Sequence, residues 1–292
     1  MRVLTTFGIF SVDKGRHADA DDVCYKLTPV SRLLVGDYNQ SPIVRLFLDP
    51  SYVTALGSMA EWFTDEQASA RTLFEVAHGC TRDEMVATMD TRGEYNVGVA
   101  ADSRLVMEVV LKEHRGIFKG VSSLVDAGGA HGAAAEAISK AFPHIKCIVL
   151  DLPHVIAGAP AIENVQFVAG DLFEYVPLPP ADVILLKWVM CMWQDEDDIK
   201  TPPGGPTAGD ALTAGRSAGG KVIIIDVVIG SRVSRDEVLL REMQVLYDVF
   251  MMRVDGTDRD EHQWRKIFFE AGFKDYKITP MLGYRSIIEV YP

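Results

Sequence analysis

Residues 123–151 read SLVDAGGAHGAAAEAISKAFPHIKCIVLD. This segment joins an apolar run, a glycine-rich turn, an alanine-rich helical stretch and a second apolar run without interruption. In α/β domains, a strand leads through such a turn into a helix that packs back on the sheet. The segment therefore predicts the first strand, helix and second strand of a doubly wound, mainly parallel sheet.

The alternation of strands and helices continues downstream and changes near the end of the chain. Further strands with continuous apolar runs are predicted at Val165–Val168, Asp182–Lys187 and Lys221–Val228. Helices are predicted at Asp236–Met252 and Glu261–Ala271, and final strands at Tyr276–Thr279 and Ser286–Tyr291. A terminal hairpin added to a parallel sheet is a topological feature of methyltransferases, whereas nicotinamide dehydrogenases usually continue with parallel strands.

Two regions depart from this alternation. Residues 51–115 are predicted to be helical. Residues 1–50 give a mixed pattern of short helices and strands, with a helix expected at Arg2–Phe10. Thr201–Gly220 holds six glycines and three prolines where a crossover helix should connect two parallel strands. This glycine-rich segment predicts a flexible loop with one helical turn at Asp210–Ala214.

Composition indicates the compartment and excludes some partners. The net charge of −12 disfavours nucleic acid and anionic membranes as partners. The cysteines form no CxxC pair, so a zinc site or disulfide framework is not expected and a reducing compartment is the default. The first ten residues lack a convincing cleavage site, and no apolar stretch approaches the roughly 20 residues of a membrane helix. These features predict a cytoplasmic protein.

Residues at the carboxyl ends of the first predicted strands favour a nucleoside-containing cofactor. The turn at Gly128 lets backbone approach a ligand, and the helix after it offers unpaired N–H groups. Asp151 follows 23 residues later, where a carboxylate can accept hydrogen bonds from ribose hydroxyls. Asp171 could take an adenine amino group, with Leu172 covering the ring. Each residue alone is also compatible with a tight turn, a surface Asp or a loop beside the core, but their combined spacing favours a cofactor.

Residues after the later strands suggest a site for an aromatic substrate. The run KWVMCMW at 187–193 leaves the fourth strand of the predicted sheet, where side chains face the ligand crevice of open α/β sheets. Its tryptophans and methionines suit a flat aromatic molecule, although such residues are also common in cores. Asp226 ends an apolar strand and must be paired or protonated there. Asp258 is equally compatible with a turn or a helix cap.

Several motifs in order resemble the plant caffeic acid-type O-methyltransferases, and in particular their monocot branch, which methylates flavonoids, other phenolics and N-acetylserotonin. The motifs are FEVAHG, ADSRLVMEVVLKE, VDAGGAHG, VLDLPHV, VAGDLFEYVP, LLKWVMCMW, GGKVIIIDVVIG and EAGFKDYKITPMLGYRSIIEVYP. The resemblance implies a partial winged-helix and linking helical region at 1–114 and a Rossmann-like, S-adenosylmethionine-binding domain at 115–292. The chain is expected to enter part-way through the winged helix, which puts the family's homodimer interface and one wall of its substrate pocket in doubt.

The resemblance also implies contacts with S-adenosylmethionine. Gly128 would pack against the methionine part and Asp151 would bind the ribose hydroxyls. The remaining contacts would come from Asp171 and Leu172 at the adenine, from Lys187 nearby, and from Ser103 at the amino-acid end.

The catalytic base of the family is replaced in this chain. Where the family carries a histidine after LKW and two residues, this sequence has Cys191. Asp226 and Asp258 match the acidic residues that flank and orient that histidine. A thiol has a pKa near 8.5 and is a poorer base than an imidazole, so we expect catalysis reduced by about 10²–10⁴-fold.

Three interpretations remain open at this point. The first is a phenolic O-methyltransferase of weakened activity that acts on small aromatic hydroxyl compounds. The second is an inactive relative that binds S-adenosylmethionine or heterodimerises with an intact paralogue. The third, a nicotinamide dehydrogenase, uses only the glycine-rich turn and Asp151, and it leaves the GDLF motif and the terminal hairpin unexplained.

Overall fold

The computed structural model describes residues 1–13, 23–64, 72–82, 84–85, 92–173, 178–195, 207–217, 220–230, 238–254 and 256–292. Up to residue 118 the described chain is helical, apart from an antiparallel ribbon of β1 (Phe10–Asp13) and β2 (Cys24–Leu27). The α-helices of this part are α1 (Arg2–Thr6), α2 (Pro29–Arg32), α3 (Ser41–Phe47), α4 (Pro50–Gly57), α5 (Met59–Thr64), α6 (Leu73–His78) and α7 (Arg92–Glu113). Helix α3 packs against α7, and α4 packs against α6.

A twisted central sheet follows this helical part. Its strands are β3 (Ser123–Ala127), β4 (Lys146–Asp151), β5 (Val165–Ala169), β6 (Val183–Lys187), β7 (Lys221–Ile229), β8 (Arg259–Asp260), β9 (Asp275–Pro280) and β10 (Arg285–Tyr291). The spatial order is β5-β4-β3-β6-β7-β10-β9, with β8 paired to β7 outside this path. The five strands β5, β4, β3, β6 and β7 are parallel to one another. Strand β10 runs antiparallel to both β7 and β9. The predicted parallel sheet and terminal hairpin are therefore present.

Apolar side chains cover both faces of the sheet. The later helices are α8 (Ala133–Ala141), α9 (Pro153–Ile156), α10 (Ala208–Ser217), α11 (Val238–Met251) and α12 (Glu261–Glu270). In β6, Val183 and Leu185 belong to one hydrophobic core, and Ile184 and Leu186 belong to the other. All four are fully buried, because successive side chains of a strand point to opposite faces and both faces are covered here.

The glycine-rich segment contains more helix than its composition predicts. The single turn expected at Asp210–Ala214 is wrong, because α10 extends over Ala208–Ser217. Leu212 is fully buried in the core beside the sheet, so tertiary packing stabilises a helix that glycine content disfavours. Residues 201–206 and 218–219 of the segment lie outside the described part of the chain.

The first amino-terminal helix is shorter than the sequence predicts. The helix expected at Arg2–Phe10 ends at Thr6, and Phe10 begins strand β1 instead. In the ranges that the structure describes, no helix combines the length and hydrophobicity that a membrane span requires.

Candidate active site

The glycine-rich turn between β3 and α8 adopts a conformation that favours glycine. Gly128 has a φ of +72°, and a Cβ built there would lie 2.7 Å from the Val189 side chain. Its N–H donates to the Leu150 carbonyl at 2.8 Å, which holds the turn against β4. Gly132, at φ +78°, then precedes the first residue of α8. The turn therefore presents bare backbone beside a helix N-terminus, as a bound cofactor requires.

Asp151 lies at the carboxyl end of β4, directly beside this turn. Its Oδ2 accepts a hydrogen bond from the Ala130 N–H at 2.7 Å, and its Oδ1 accepts one from the Leu152 N–H at 2.7 Å. Burial raises the pKa of Asp151, while the hydrogen bonds from Leu152 and Ala130 act in the opposite direction. The structure thus brings together two residues that the sequence assigned to one ligand, Gly128 and Asp151.

Asp126 is a further acidic residue at this site that sequence reasoning missed. It is 1% exposed, and its Oδ2 has no hydrogen-bond partner within the described ranges. A Cβ at Gly129 would lie 2.6 Å from this carboxylate. Burial raises the pKa of Asp126 to about 7, although the nearby Lys187 lowers it. The available signal was a charged residue inside an otherwise apolar strand immediately before the glycines.

Asp171 and Leu172 follow β5, which is the neighbour of β4 in the sheet. The Gly170 N–H donates to the Asp151 carbonyl at 2.9 Å, so this loop is attached to the end of β4. Asp171 accepts a hydrogen bond from the Phe173 N–H at 2.9 Å, and Leu172 is buried. Both residues therefore lie on the same edge of the sheet as Asp151.

Lys187 and Ser103 lie where α7 meets the end of β6. The Lys187 Nζ forms a buried ion pair with Asp102 Oδ2 at 2.7 Å, and Arg285 Nη2 contacts Asp102 Oδ1 at 2.5 Å. Ser103, the next residue of α7, is buried. The charge of Lys187 is therefore neutralised inside the protein. A contact between Lys187 or Ser103 and the cofactor remains a prediction.

Cys191, Asp226 and Asp258 converge although they lie far apart in the sequence. Cys191 belongs to a short 3₁₀ turn at Met190–Met192 and is 2% exposed. Its backbone N–H donates to Asp226 Oδ2 at 3.1 Å. The N–H of Thr257, the residue before Asp258, donates to the Cys191 carbonyl at 2.8 Å. The structure therefore brings the predicted base position and both predicted carboxylates into one buried cluster.

The cluster contains three acidic groups, and burial disfavours the charged form of each of them. Burial, followed by the nearby Asp226 and Asp258, raises the pKa of the Cys191 thiol well above its ordinary value. Burial raises the pKa of Asp226 to about 6, against the hydrogen bond from the Val227 N–H. Burial and then Asp226 raise the pKa of Asp258 to about 8. At neutral pH the thiol is therefore neutral, and the carboxyl groups are the titrating members of the cluster.

Arg259 braces this cluster and was not identified from the sequence. Its guanidinium is fully buried and donates hydrogen bonds to the carbonyls of Met190 at 2.9 Å and Trp193 at 2.6 Å. It also binds Asp195 Oδ1 at 2.7 Å. Because Arg259 follows Asp258 directly, these bonds fix the Cys191 turn against the chain that carries Asp258.

Aromatic rings wall one side of the cluster. Trp188, at a φ of +57°, stacks on Tyr247 with ring centroids 6.2 Å apart. Tyr247 also approaches Tyr284 at 5.0 Å. Trp193 lies elsewhere, because it packs edge-on against Phe173 at 4.4 Å and joins the core beside the sheet. Of the two tryptophans proposed for a substrate wall, only Trp188 is in this aromatic group.

A cavity of about 350 Å³ lies among α3, α4 and α6. Its lining includes Tyr52, Phe74, His78, Arg82 and Tyr95. The Arg82 Nη1 lies 3.9 Å from the sulfur of Met192, the neighbour of Cys191. Aromatic rings therefore line part of the cavity, together with charged side chains such as Asp49 and Glu94, and the cavity adjoins the Cys191 turn.

This sheet order, with a glycine-rich turn after its first strand and an antiparallel hairpin at its end, defines a Rossmann-like methyltransferase domain. Solved methyltransferase structures share this fold. A model of the O-methyltransferase domain family matches residues 57–274, and this chain belongs to that family of S-adenosylmethionine-dependent O-methyltransferases.

Curated plant enzymes are similar over the whole chain. Acetylserotonin O-methyltransferase 2 of Oryza sativa subsp. japonica is 53% identical over 299 residues, covering 100% of this chain and 78% of the relative. O-methyltransferase ZRP4 of Zea mays is 46% identical, and the match covers 100% of this chain and 80% of the relative. Eugenol O-methyltransferase of Ocimum basilicum is 40% identical, covering 100% and 79%. The resemblance to plant caffeic acid-type enzymes is confirmed.

The similar solved structures share the fold at low sequence identity. The methyltransferase CalO1 of calicheamicin biosynthesis, in its SAH-bound form, has a TM-score of 0.76 at 21% identity, covering 100% of this chain and 81% of that one. Human N-acetylserotonin methyltransferase in complex with SAM has a TM-score of 0.74 at 19% identity. The match covers 99% of this chain and 81% of that chain.

Proposed function

We propose that this protein transfers the methyl group of S-adenosylmethionine to a hydroxyl group of a small aromatic plant metabolite, a phenol, flavonoid or indole. The observation that carries the proposal is the buried cluster of Cys191, Asp226 and Asp258 beside an aromatic wall. The names of similar enzymes support it, since they specify acetylserotonin, eugenol and chavicol as acceptors. S-adenosylmethionine, when bound, would supply a methyl group attached to a positively charged sulfur. That sulfur is a good leaving group, because it departs as a neutral thioether.

The residues of the glycine-rich edge suit this cofactor. We assign the ribose hydroxyls to Asp151, the adenine to Asp171 and Leu172, and the methionine part to the bare backbone at Gly128. The unpaired carboxylate oxygen of Asp126 gives the same edge an acceptor for a positively charged group. Lys187 and Ser103 complete the assignment on the side of α7.

The protein must hold the acceptor ring and remove its proton. The rings of Trp188, Tyr247 and Tyr284 offer stacking surfaces for a flat acceptor, and the adjoining cavity offers room for its substituents. A phenol has a pKa of about 10, so a base must remove its proton at neutral pH. In the position of the family's histidine, Cys191 offers a neutral thiol. We therefore propose that catalysis is weakened by about 10²–10⁴-fold relative to a relative with a histidine.

We further propose a division at residues 114/115 between a helical association region and the catalytic domain. Large apolar side chains on the helical region, including Phe7, Leu48 and Phe63, are strongly exposed. Such a surface suits a homodimer. The free thiols of Cys24, Cys80, Cys147 and Cys191 suit a reducing compartment such as the cytoplasm.

A second candidate is a member of the family that binds the cofactor without turnover, or that associates with an intact paralogue. The neutral thiol at Cys191 favours it, because the family's base is missing. The exposed apolar surface supplies a place for association.

Methyl transfer and cofactor binding, measured on the same preparation, separate the two candidates. We expect calorimetry to detect binding of S-adenosylhomocysteine. We also expect a radiolabelled methyl group to appear, slowly, on N-acetylserotonin or eugenol. Binding without any transfer would support the inactive relative. Absence of binding by folded protein would remove both.

A further inference from the structure

Asp226 and Asp258 differ in how their carboxylate oxygens are satisfied. Asp226 accepts hydrogen bonds from the backbone N–H groups of Cys191 at 3.1 Å and Val227 at 2.9 Å. Asp258 is 6% exposed, and neither of its oxygens has a hydrogen-bond partner among the residues that the structure describes. A buried carboxylate without a donor is costly, so it indicates a missing partner.

The position of Asp258 is closely fixed. The Thr257 N–H donates to the Cys191 carbonyl, and a Cβ at Gly256 would lie 2.8 Å from that carbonyl oxygen. This close approach requires glycine at 256. On the other side, the Arg259 guanidinium bonds to the Met190 carbonyl. The hydrogen bonds of its two chain neighbours, Thr257 and Arg259, therefore fix the position of Asp258 in the cluster. A group that acts on a ligand needs a position fixed in this way.

Cys191 is not available to accept a proton. Burial, together with the nearby carboxyl groups of Asp226 and Asp258, raises the pKa of its thiol and disfavours the thiolate. The backbone N–H groups of Cys191 and Val227 satisfy Asp226, so Asp258 is the unsatisfied acceptor of the cluster within the described residues.

We propose that Asp258 accepts the proton of the acceptor hydroxyl and so serves as the general base in this chain. The role rests on the function proposed above. As the oxygen–hydrogen bond of the acceptor breaks, its proton passes to a carboxylate oxygen of Asp258. The acceptor oxygen bonds to the methyl carbon, and the electron pair of the carbon–sulfur bond remains on sulfur as a neutral thioether. The proton on Asp258 then leaves to water.

The surroundings of Asp258 adjust its basicity toward that of an imidazole. Burial, Asp226 and Asp248 raise its pKa to about 8, while Arg259 lowers it. The other titratable groups that face it are Cys191, Tyr247 and Tyr284. A base is most effective when its pKa lies near the working pH. The carboxylate fraction rises with pH through about 8, so the methyl-transfer rate should rise over the same range.

The first test compares the wild type with Asp258→Asn, Asp258→Glu and the exposed control Asp37→Asn. Turnover of N-acetylserotonin is measured from pH 6 to 9. We expect Asp258→Asn to lower kcat by about 10²-fold or more and to remove the rise with pH, since an amide accepts no proton at these pH values. Asp258→Glu should retain the rise with pH, and Asp37→Asn should behave as the wild type.

The second test measures binding rather than turnover. With S-adenosylhomocysteine present, calorimetry compares N-acetylserotonin with its O-methyl ether. We expect the wild type to prefer the hydroxyl compound by about tenfold or more, as a hydrogen bond to a charged acceptor would give. Asp258→Asn should lose that preference and still bind S-adenosylhomocysteine normally, which shows that it is folded.

The outcomes separate this inference from the proposed function. If the wild type transfers methyl groups and Asp258→Asn keeps its kcat and pH profile, Asp258 is not the base although the function stands. If the wild type transfers no methyl group at all, the proposed function fails and the role of Asp258 fails with it.

Discussion

The cofactor end and the base end of the sheet edge differ in what determines their geometry. At the cofactor end, the turn at Gly128 and the carboxylate of Asp151 are joined by backbone hydrogen bonds within one strand–helix–strand unit. At the base end, Cys191, Asp226 and Asp258 come from separate segments and meet through tertiary contacts. The geometry of the cofactor end is therefore determined by the local backbone, whereas at the base end the carboxyl groups of Asp226 and Asp258 together raise the pKa of Cys191.

The largest expected effect is at the base end. Cys191→His should raise kcat by about 10²-fold, because an imidazole beside Asp226 and Asp258 supplies the general base that this family uses. Turnover of N-acetylserotonin at pH 7.5 measures the gain. The matched control, Cys24→His, places an imidazole on an exposed strand and should leave kcat unchanged. An inactive Cys191→His protein that still binds cofactor would move the defect away from position 191.

The next effect tests the cofactor end. Asp151→Ala should weaken binding of S-adenosylhomocysteine by about 10–100-fold, the loss expected for one charge-assisted hydrogen bond or more. Calorimetry gives the dissociation constant, and Asp37→Ala is the control. Retention of wild-type affinity would show that Asp151 only fastens the turn through Ala130 and does not touch the ligand.

A smaller effect concerns the backbone of the turn. Gly128→Ala should lower the free energy of unfolding by about 1–3 kcal/mol, because a left-handed conformation and a close contact with Val189 both oppose a Cβ. Gly120 is the matched control, since its φ is +77° but a Cβ there would meet nothing within 4 Å. Denaturant unfolding measures both variants. Equal losses would show that the approach of Val189 contributes nothing.

The smallest effect is the pH dependence of stability. The folded pKa values of Asp226, about 6, and Asp258, about 8, lie above the ordinary value near 3.9. The folded state therefore binds more protons than the unfolded state, and the stabilisation is complete below about pH 4 and decreases as pH rises through these values. Asp258→Asn should flatten the decrease in stability between about pH 4 and 8. It should also raise the melting temperature at pH 8 by a few degrees, which corresponds to about 1 kcal/mol in the free energy of unfolding. An unchanged melting curve at pH 8 would contradict the buried, ionised Asp258.

Patterns within short segments predicted most of the sheet. The runs that form β3, β6 and β7 are largely apolar, as a strand buried on both faces requires, with charged residues such as Asp126 and Asp226 as exceptions. The glycine-rich turn carries its conformation in its own residues. The predicted residues of the base end also meet as expected, though only a family resemblance linked them. Whether each one contacts a ligand stays a prediction.

Features that depend on distant contacts were missed. Helix α10 forms from a glycine-rich segment because Leu212 is buried in a core made by other elements. The brace formed by Arg259 depends on carbonyl groups more than 60 residues away, at Met190 and Trp193. Likewise, nothing in the local pattern around Lys187 indicates its ion pair with Asp102 on α7.

The ion pairs of Asp102 restrict movement of helix α7 against the sheet. Asp102 belongs to the long helix that precedes the sheet, whereas Lys187 and Arg285 belong to strands of the sheet. Sliding this helix across the sheet would separate opposite charges out of reach of water, at a cost of about 3–5 kcal/mol. The helix and the sheet should therefore move as one rigid unit. If the acceptor proposed above enters through the cavity lined by Tyr52, Phe74 and Tyr95, we expect the shorter helices α3, α4 and α6 to be the elements that move.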